Sequence, residues 1–124
     1  MTLRAAELFR QLSAEPALAT CQQARAQAAC VRGLVAAAEA QLKAALLAQD
    51  HVLAHVIEAE MRALGARLRA HADAYALAGA ALQSSAAFRA CAAYCRYYKI
   101  PLAVFAAVAP ELVRLFATYH GPKP

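Results

Sequence analysis

The stretch CQQARAQAACVRGLVAAAEAQLKAALL, residues 21–47, decides the fold. Cys21, Ala24, Ala28, Val31, Val35, Ala38, Leu42 and Ala45 recur alternately three and four residues apart. That spacing lays an apolar seam along one side of an α-helix. Arg25, Arg32, Glu39 and Lys43 fall outside the seam, and Glu39 precedes Lys43 in the favourable i,i+4 order. Small residues dominate the seam, so a facing helix can approach closely and gain dispersion contacts along the whole length. With Leu18 added, the pattern predicts a helix from Pro16 to about Ala48, with Pro16 in the first turn, where its missing N–H is no loss.

Working outward, Gln49-Asp50 is the expected turn, with Asp50 capping a third helix. That helix carries Leu53, Ile57, Met61, Leu64, Leu68, Tyr75 and Leu82 on one stripe, with Glu58–Arg62 and Arg69–Asp73 as i,i+4 pairs outside it. Gly65 and Gly79 are expected where a neighbouring helix lies very close, since an interior glycine costs about 1 kcal/mol relative to alanine. Ser84-Ser85 offers the next cap, followed by a helix burying Phe88, Cys91, Cys95 and Tyr98 and ending at Pro101. The apolar run Leu102–Ala109 is expected to be buried, and Pro110 opens a last helix through Tyr119, with Gly121 suited to its C-terminal cap. Towards the N-terminus, Thr2 is the expected cap of a first helix with Leu8, Phe9 and Leu12 on its apolar side, broken before Pro16. The fold class is therefore all-α: an antiparallel helical hairpin or bundle of four to five helices with Ala-rich close packing, forming a single helical domain over residues 1–124.

Composition agrees. Alanine supplies 37 of 124 residues, with only 4 Gly and 5 Pro, so helix is favoured nearly everywhere. Charged residues make up 17%, below the roughly 25% of ordinary soluble domains, which suggests that more than one face of some helices is covered. The longest uncharged stretch, Ala74–Phe88, is too short and too polar for a membrane span, although a position beside a membrane is compatible with the sequence. The start, MTLRAAELFRQL, has no apolar leader core. Residues 1–62 balance six Lys/Arg against six Asp/Glu, whereas residues 63–124 hold seven against two, so the excess of +5 lies in the second half.

The chemistry-bearing residues are few. His51, His55 and Glu58 share one helix face and are the best metal-like set; a solvated polar face is the expected reading, and no metal, cofactor or small-molecule substrate is expected. The segment Tyr94–Lys99 interleaves aromatics with cations, but the chain has too few Lys/Arg for a nucleic-acid binder, so contact with RNA is expected only inside an assembly that contains it. Cys21, Cys30, Cys91 and Cys95 match neither zinc spacing nor the level double bridge of twin-cysteine hairpins, and read as small buried hydrophobes with free thiols. No lysine follows His71, against a phosphotransfer histidine, and no nucleophile triad or phosphate loop is present.

Residues 6–12, AELFRQL, resemble the Leu-Tyr-Arg motif that opens small mitochondrial helical proteins of the LYR family, with Phe9 in the tyrosine position. The family's later Phe and basic positions do not appear in QQARAQAACVRG, residues 22–33. That resemblance implies an accessory subunit or assembly factor of a respiratory complex. The residues themselves point to the same class of role: greasy helix in surplus of one small core, with no site. The expected function is a non-catalytic accessory or scaffold subunit of a larger multiprotein assembly, its partners other protein subunits. The interface candidates are Tyr94, Tyr97, Tyr98, Leu102, Phe105 and Phe116. The rival readings are a small bacterial helical chaperone or adaptor for a secretion system, and a metal-binding bundle using His51, His55 and Glu58. A reducing intracellular compartment is expected, with the mitochondrion ahead of the bacterial cytoplasm.

Overall fold

The computed structural model describes residues 3–121; Thr2 and the tail after Gly121 lie outside the described residues, as does the side chain of Leu102. The described residues form five α-helices and no strand: α1 Leu3–Ser13, α2 Pro16–Leu47, α3 His51–Gln83, α4 Ala86–Tyr97 and α5 Pro110–Thr118, with a 3-10 turn over Leu102–Ala107 before α5. The chain is all-α, as its sequence predicts. Every break falls at a local stop signal. Gln49 takes the left-handed conformation (φ 56°), and the Asp50 N–H donates to the Ala45 carbonyl at 2.9 Å, closing α2 in a Schellman motif. Asp50 Oδ1 then accepts the Leu53 N–H at 3.0 Å and starts α3. Ser85 Oγ accepts the Phe88 N–H at 3.1 Å as the cap of α4. Lys99 (φ 54°) ends α4 as Gln49 ends α2, with the Ile100 N–H on the Cys95 carbonyl at 2.9 Å.

The chain divides into two compact units, to both of which α2 and α3 contribute. The first comprises Met1–Gln22 with Ala76–Pro124. Its core gathers Leu8, Leu12, Leu82, Phe88, Phe105 and Leu112, each at most 2% exposed. All four phenylalanines of the chain meet there. Phe9 stands edge-on to Phe105, Phe105 stacks on Phe116 at 4.1 Å between ring centres, and Phe116 stacks on Phe88 at 4.2 Å. Gln83 ties the end of α3 to α5 by donating to the Leu115 carbonyl at 2.9 Å. Glu111 is buried in the first turn of α5, where a helix N-terminus favours a carboxylate.

The second unit, Gln23–Tyr75, is a helical hairpin. Its core is Val31, Ala38, Ala45, Ala54, Ile57 and Leu64, with Val35, Leu42, Met61 and Leu68 packed against it. Each seam position on α2 has a counterpart equally far from the turn on α3: Ala45 with Ala54, Leu42 with Ile57, Ala38 with Met61, Val35 with Leu64, Val31 with Leu68. The α2 seam is the one its sequence predicts. The α3 seam differs by one residue near the turn, where Ala54 is buried and Leu53 exposed. The pairs Glu39–Lys43, Glu58–Arg62 and Arg69–Asp73 do not close; an exposed ion pair does form in α1, between Glu7 and Arg10 at 2.6 Å.

Candidate functional site

In the first unit the polar-capable aromatics collect at the end of α4. Tyr94 and Tyr98, one turn apart, share a face, and their rings lie 4.6 Å apart. Tyr97 meets Tyr98 edge-on at 4.9 Å. The left-handed Lys99 then reverses the chain, so Ile100 folds back beside these rings. The result is an open groove of about 490 Å³ lined by Arg4, Phe9, Tyr94, Tyr98, Ile100 and Val104. Tyr97 is 79% and Tyr98 60% exposed, while Tyr94 is half-buried. Arg4 places a positive charge in its lining.

Two of the expected interface residues lie elsewhere. Phe105 (0% exposed) and Phe116 (7%) belong to the chain's own core, stacked on each other. Local pattern shows each as part of an apolar run; only the fold shows that the two runs pack together. Leu102 shares the 3-10 turn with Phe105, its side chain outside the described ones. The run Leu102–Ala109 is also only partly buried. A 3-10 helix repeats every three residues, so Phe105 and Val108 turn inward while Val104, Ala106 and Ala107 face out.

A second apolar surface was not expected. Leu46, Leu47, Val52, Leu53 and Val56 are all exposed around the hairpin turn, beside a shallow hollow of about 360 Å³ under Leu42, Leu46 and Leu47. The signal was present in the sequence: five large aliphatics within eleven residues of a tight turn cannot all reach a seam that admits two residues in seven.

His51, His55 and Glu58 are exposed on α3, and no group of three His, Cys, Asp or Glu able to hold a metal ion comes together among the described residues. Cys21, Cys91 and Cys95 are buried free thiols, whereas Cys30 is exposed, against the expectation of four buried sulfurs. Burial pushes the Cys91 thiol up to about 12, reinforced by Cys95 one turn away. Burial likewise raises Cys95, and raises Cys21, which also feels the charge of Glu111. Thiols held protonated at neutral pH are poor nucleophiles and poor metal ligands. In the basic stretch, Arg96 is turned towards its own fold, donating to the Tyr119 carbonyl at 3.4 Å. No described helix is long and apolar enough to cross a membrane.

No protein family, curated protein or solved structure matches the chain.

Proposed function

We propose that the chain is a non-catalytic accessory or scaffold subunit that binds another protein chain through the tyrosine groove of its first unit. One observation carries this reading: the aromatic residues are sorted by chemistry. All four phenylalanines are buried, yet Tyr97 and Tyr98 stand in solvent beside an apolar groove. Tyrosine suits a surface that is wet when free and dry when bound, because its ring supplies apolar area and its hydroxyl keeps a hydrogen-bond partner in either state. Arg4 in its lining favours a partner segment that is apolar with a flanking carboxylate. Membership in a respiratory-type assembly is the form of this role that the basic balance and the motif at residues 6–12 support.

The test is affinity purification of the tagged chain from its native source, compared with a Tyr97→Ser/Tyr98→Ser variant. Both residues are exposed, so helicity by circular dichroism stays at the wild-type level. The wild type brings down a stoichiometric set of chains and the variant loses it. A wild-type preparation free of other chains, or an identical set from the variant, overturns the reading.

A further inference from the structure

The hairpin unit carries a second surface, independent of the tyrosine groove. Its seam follows a strict heptad: Ala24, Ala28, Val31, Val35, Ala38, Leu42 and Ala45 on α2, and Ala54, Ile57, Met61, Leu64, Leu68, His71 and Tyr75 on α3 are all buried or half-buried. In an antiparallel heptad pair, the residues just before the two a positions flank the seam on the same side. Here they are Gln27, Leu34 and Gln41 on α2 and Leu53, Glu60, Arg67 and Ala74 on α3. Next round on that side come Cys30, Ala37 and Ala44, with Val56, Ala63 and Ala70. Exposure follows this geometry: Leu34 at 45% and Leu53 at 46% sit beside the seam, Val56 at 58% lies further round, and Leu47 and Val52, both 78%, lie on the back.

The two sides of the hairpin differ in charge. One side holds Arg32, Glu39, Lys43, Glu58, Arg62 and Arg69. The other holds only Glu60 and Arg67 amid aliphatic, alanine and amide residues. These two are one heptad apart and opposite in sign. Glu60 has only Val56, Ile57, Ala63 and Leu64 one turn away, and Arg67 has Ala63, Leu64, Ala70 and His71, so neither has an opposite charge beside it on α3. Neither makes an ion pair among the described residues.

This arrangement is complementary to itself. A two-fold axis perpendicular to the helices, passing midway between Glu60 and Arg67, sets each against the other's counterpart in a second molecule. The same axis brings Leu34 over Ala37, Leu53 over Ala74 and Val56 over Ala70, with Ala63 near its own mate. Each bulky residue meets an alanine, which is how interdigitating layers fill space. A two-fold axis along the hairpin would instead set Glu60 against Ala37 and Gln41, leaving both charges without a partner. We infer that a second copy of this chain docks on the Leu34–Leu53–Val56 face through reciprocal Glu60–Arg67 pairs, forming an antiparallel four-helix bundle.

Sedimentation equilibrium of the full chain between about 1 and 100 µM spans the relevant affinities. The wild type sediments as a dimer. Glu60→Arg and Arg67→Glu each set like charges together twice in the dimer and weaken association by about tenfold or more. The double swap, Glu60→Arg/Arg67→Glu, recreates both pairs and restores association to within about threefold of wild type, because the two sites are coupled only across the interface. Glu60 and Arg67 are both exposed, so helicity is unchanged in every variant. A wild type that is monomeric throughout, single variants that associate as wild type does, or a double swap no tighter than the singles each overturns the proposal.

Discussion

The two long helices contribute to both units, yet the cores of the two units are made of different material. The first unit buries Phe88, Phe105, Leu12, Leu82 and Leu112 almost completely and threads all four phenylalanines into one stack. An aromatic side chain removes about 150–250 Å² from water, so a few residues hold several helices together. The hairpin unit has no aromatic in its buried cluster; Val31, Ile57 and Leu64 are joined by three alanines. A methyl group buries little, and the hairpin compensates with a long uninterrupted seam. Two packed helices also make a single layer with no cover on either side. That is why large aliphatics stay exposed on the hairpin, whereas in the first unit even the chain-reversing segment before α5 lends Phe105 and Ala109 to the core.

The largest effect that tests this contrast is truncation in the aromatic stack. Phe105→Ala removes a ring that touches both Phe9 and Phe116 and leaves a cavity no neighbour fills, so a loss of about 3–5 kcal/mol is expected in chemical denaturation. Ile57→Ala in the hairpin should fall at the lower end of about 2–5 kcal/mol, because a two-helix pair can close around the gap. Equal losses at the two positions would show that the hairpin is as tightly built as the aromatic core.

The same contrast explains what could be read from the sequence. The α2 seam was legible at every position, because a strict alternation of three and four fixes one helix face. The helix ends at Pro16, Asp50, Ser85 and Pro110 were legible too, since caps and proline act through neighbouring backbone atoms. The aromatic stack was not. Phe105 and Phe116 lie on separate elements, and nothing local shows that one ring lands on the other. Near the hairpin turn, size misled: Leu53 is the bulkier residue, but the heptad register buries Ala54, so leucine is left outside. Of the candidate site, Tyr97 was legible as an aromatic at a charged helix end, whereas Tyr98, expected on the buried side of α4, is exposed. The groove beside them was not legible, for it needs α1 and the turn at Lys99 to form its walls.

The thiols give a pH-dependent version of the comparison, because the buried sulfurs with shifted titration all belong to the first unit. Cys91 is 1% exposed and its thiol is raised to about 12, above its value of about 8.5 in an unfolded chain. Its contribution to stability is thus fully present below about pH 8.5 and is lost as pH rises through the folded value, at up to about 1.4 kcal/mol per pH unit, since the unfolded chain releases the proton first. The urea midpoint should therefore fall between pH 8 and pH 10, and Cys91→Ala should flatten that slope. A midpoint unchanged with pH in the wild type would place the thiols in contact with water.

Backbone strain is shared by the two units and should release in both. Gln49 and Lys99 occupy left-handed C-terminal positions that glycine adopts without a Cβ clash. Gln49→Gly and Lys99→Gly should each stabilise by about 0.5–1 kcal/mol, read as an upward shift of the thermal midpoint. A gain at Gln49 alone would mean that the Lys99 side chain makes a contact that offsets its strained backbone.

The finest distinction comes from glycines inside helices. A Cβ at Gly79 would meet Leu115 Cδ2 at 3.3 Å, so the first unit is already closed over that position. At Gly33 and Gly65 a Cβ would meet nothing within 4 Å. The expectation that Gly65 marks a close helix approach is thus corrected: the hairpin leaves it open. Alanine is favoured over glycine in a helix interior by about 0.5–1 kcal/mol. Gly33→Ala and Gly65→Ala should each stabilise the isolated chain by that amount, while Gly79→Ala should gain less, because Leu115 must shift by a few tenths of an ångström to admit the new methyl group. The measurement is differential scanning calorimetry at a concentration low enough to keep the chain monomeric. If Gly65→Ala stabilises the dilute chain yet weakens its association with another chain, the open side of the hairpin is where that chain approaches. If it stabilises both alike, Gly65 stays in solvent in the complex as well, and contact is confined to the side that carries Leu34, Leu53 and Val56.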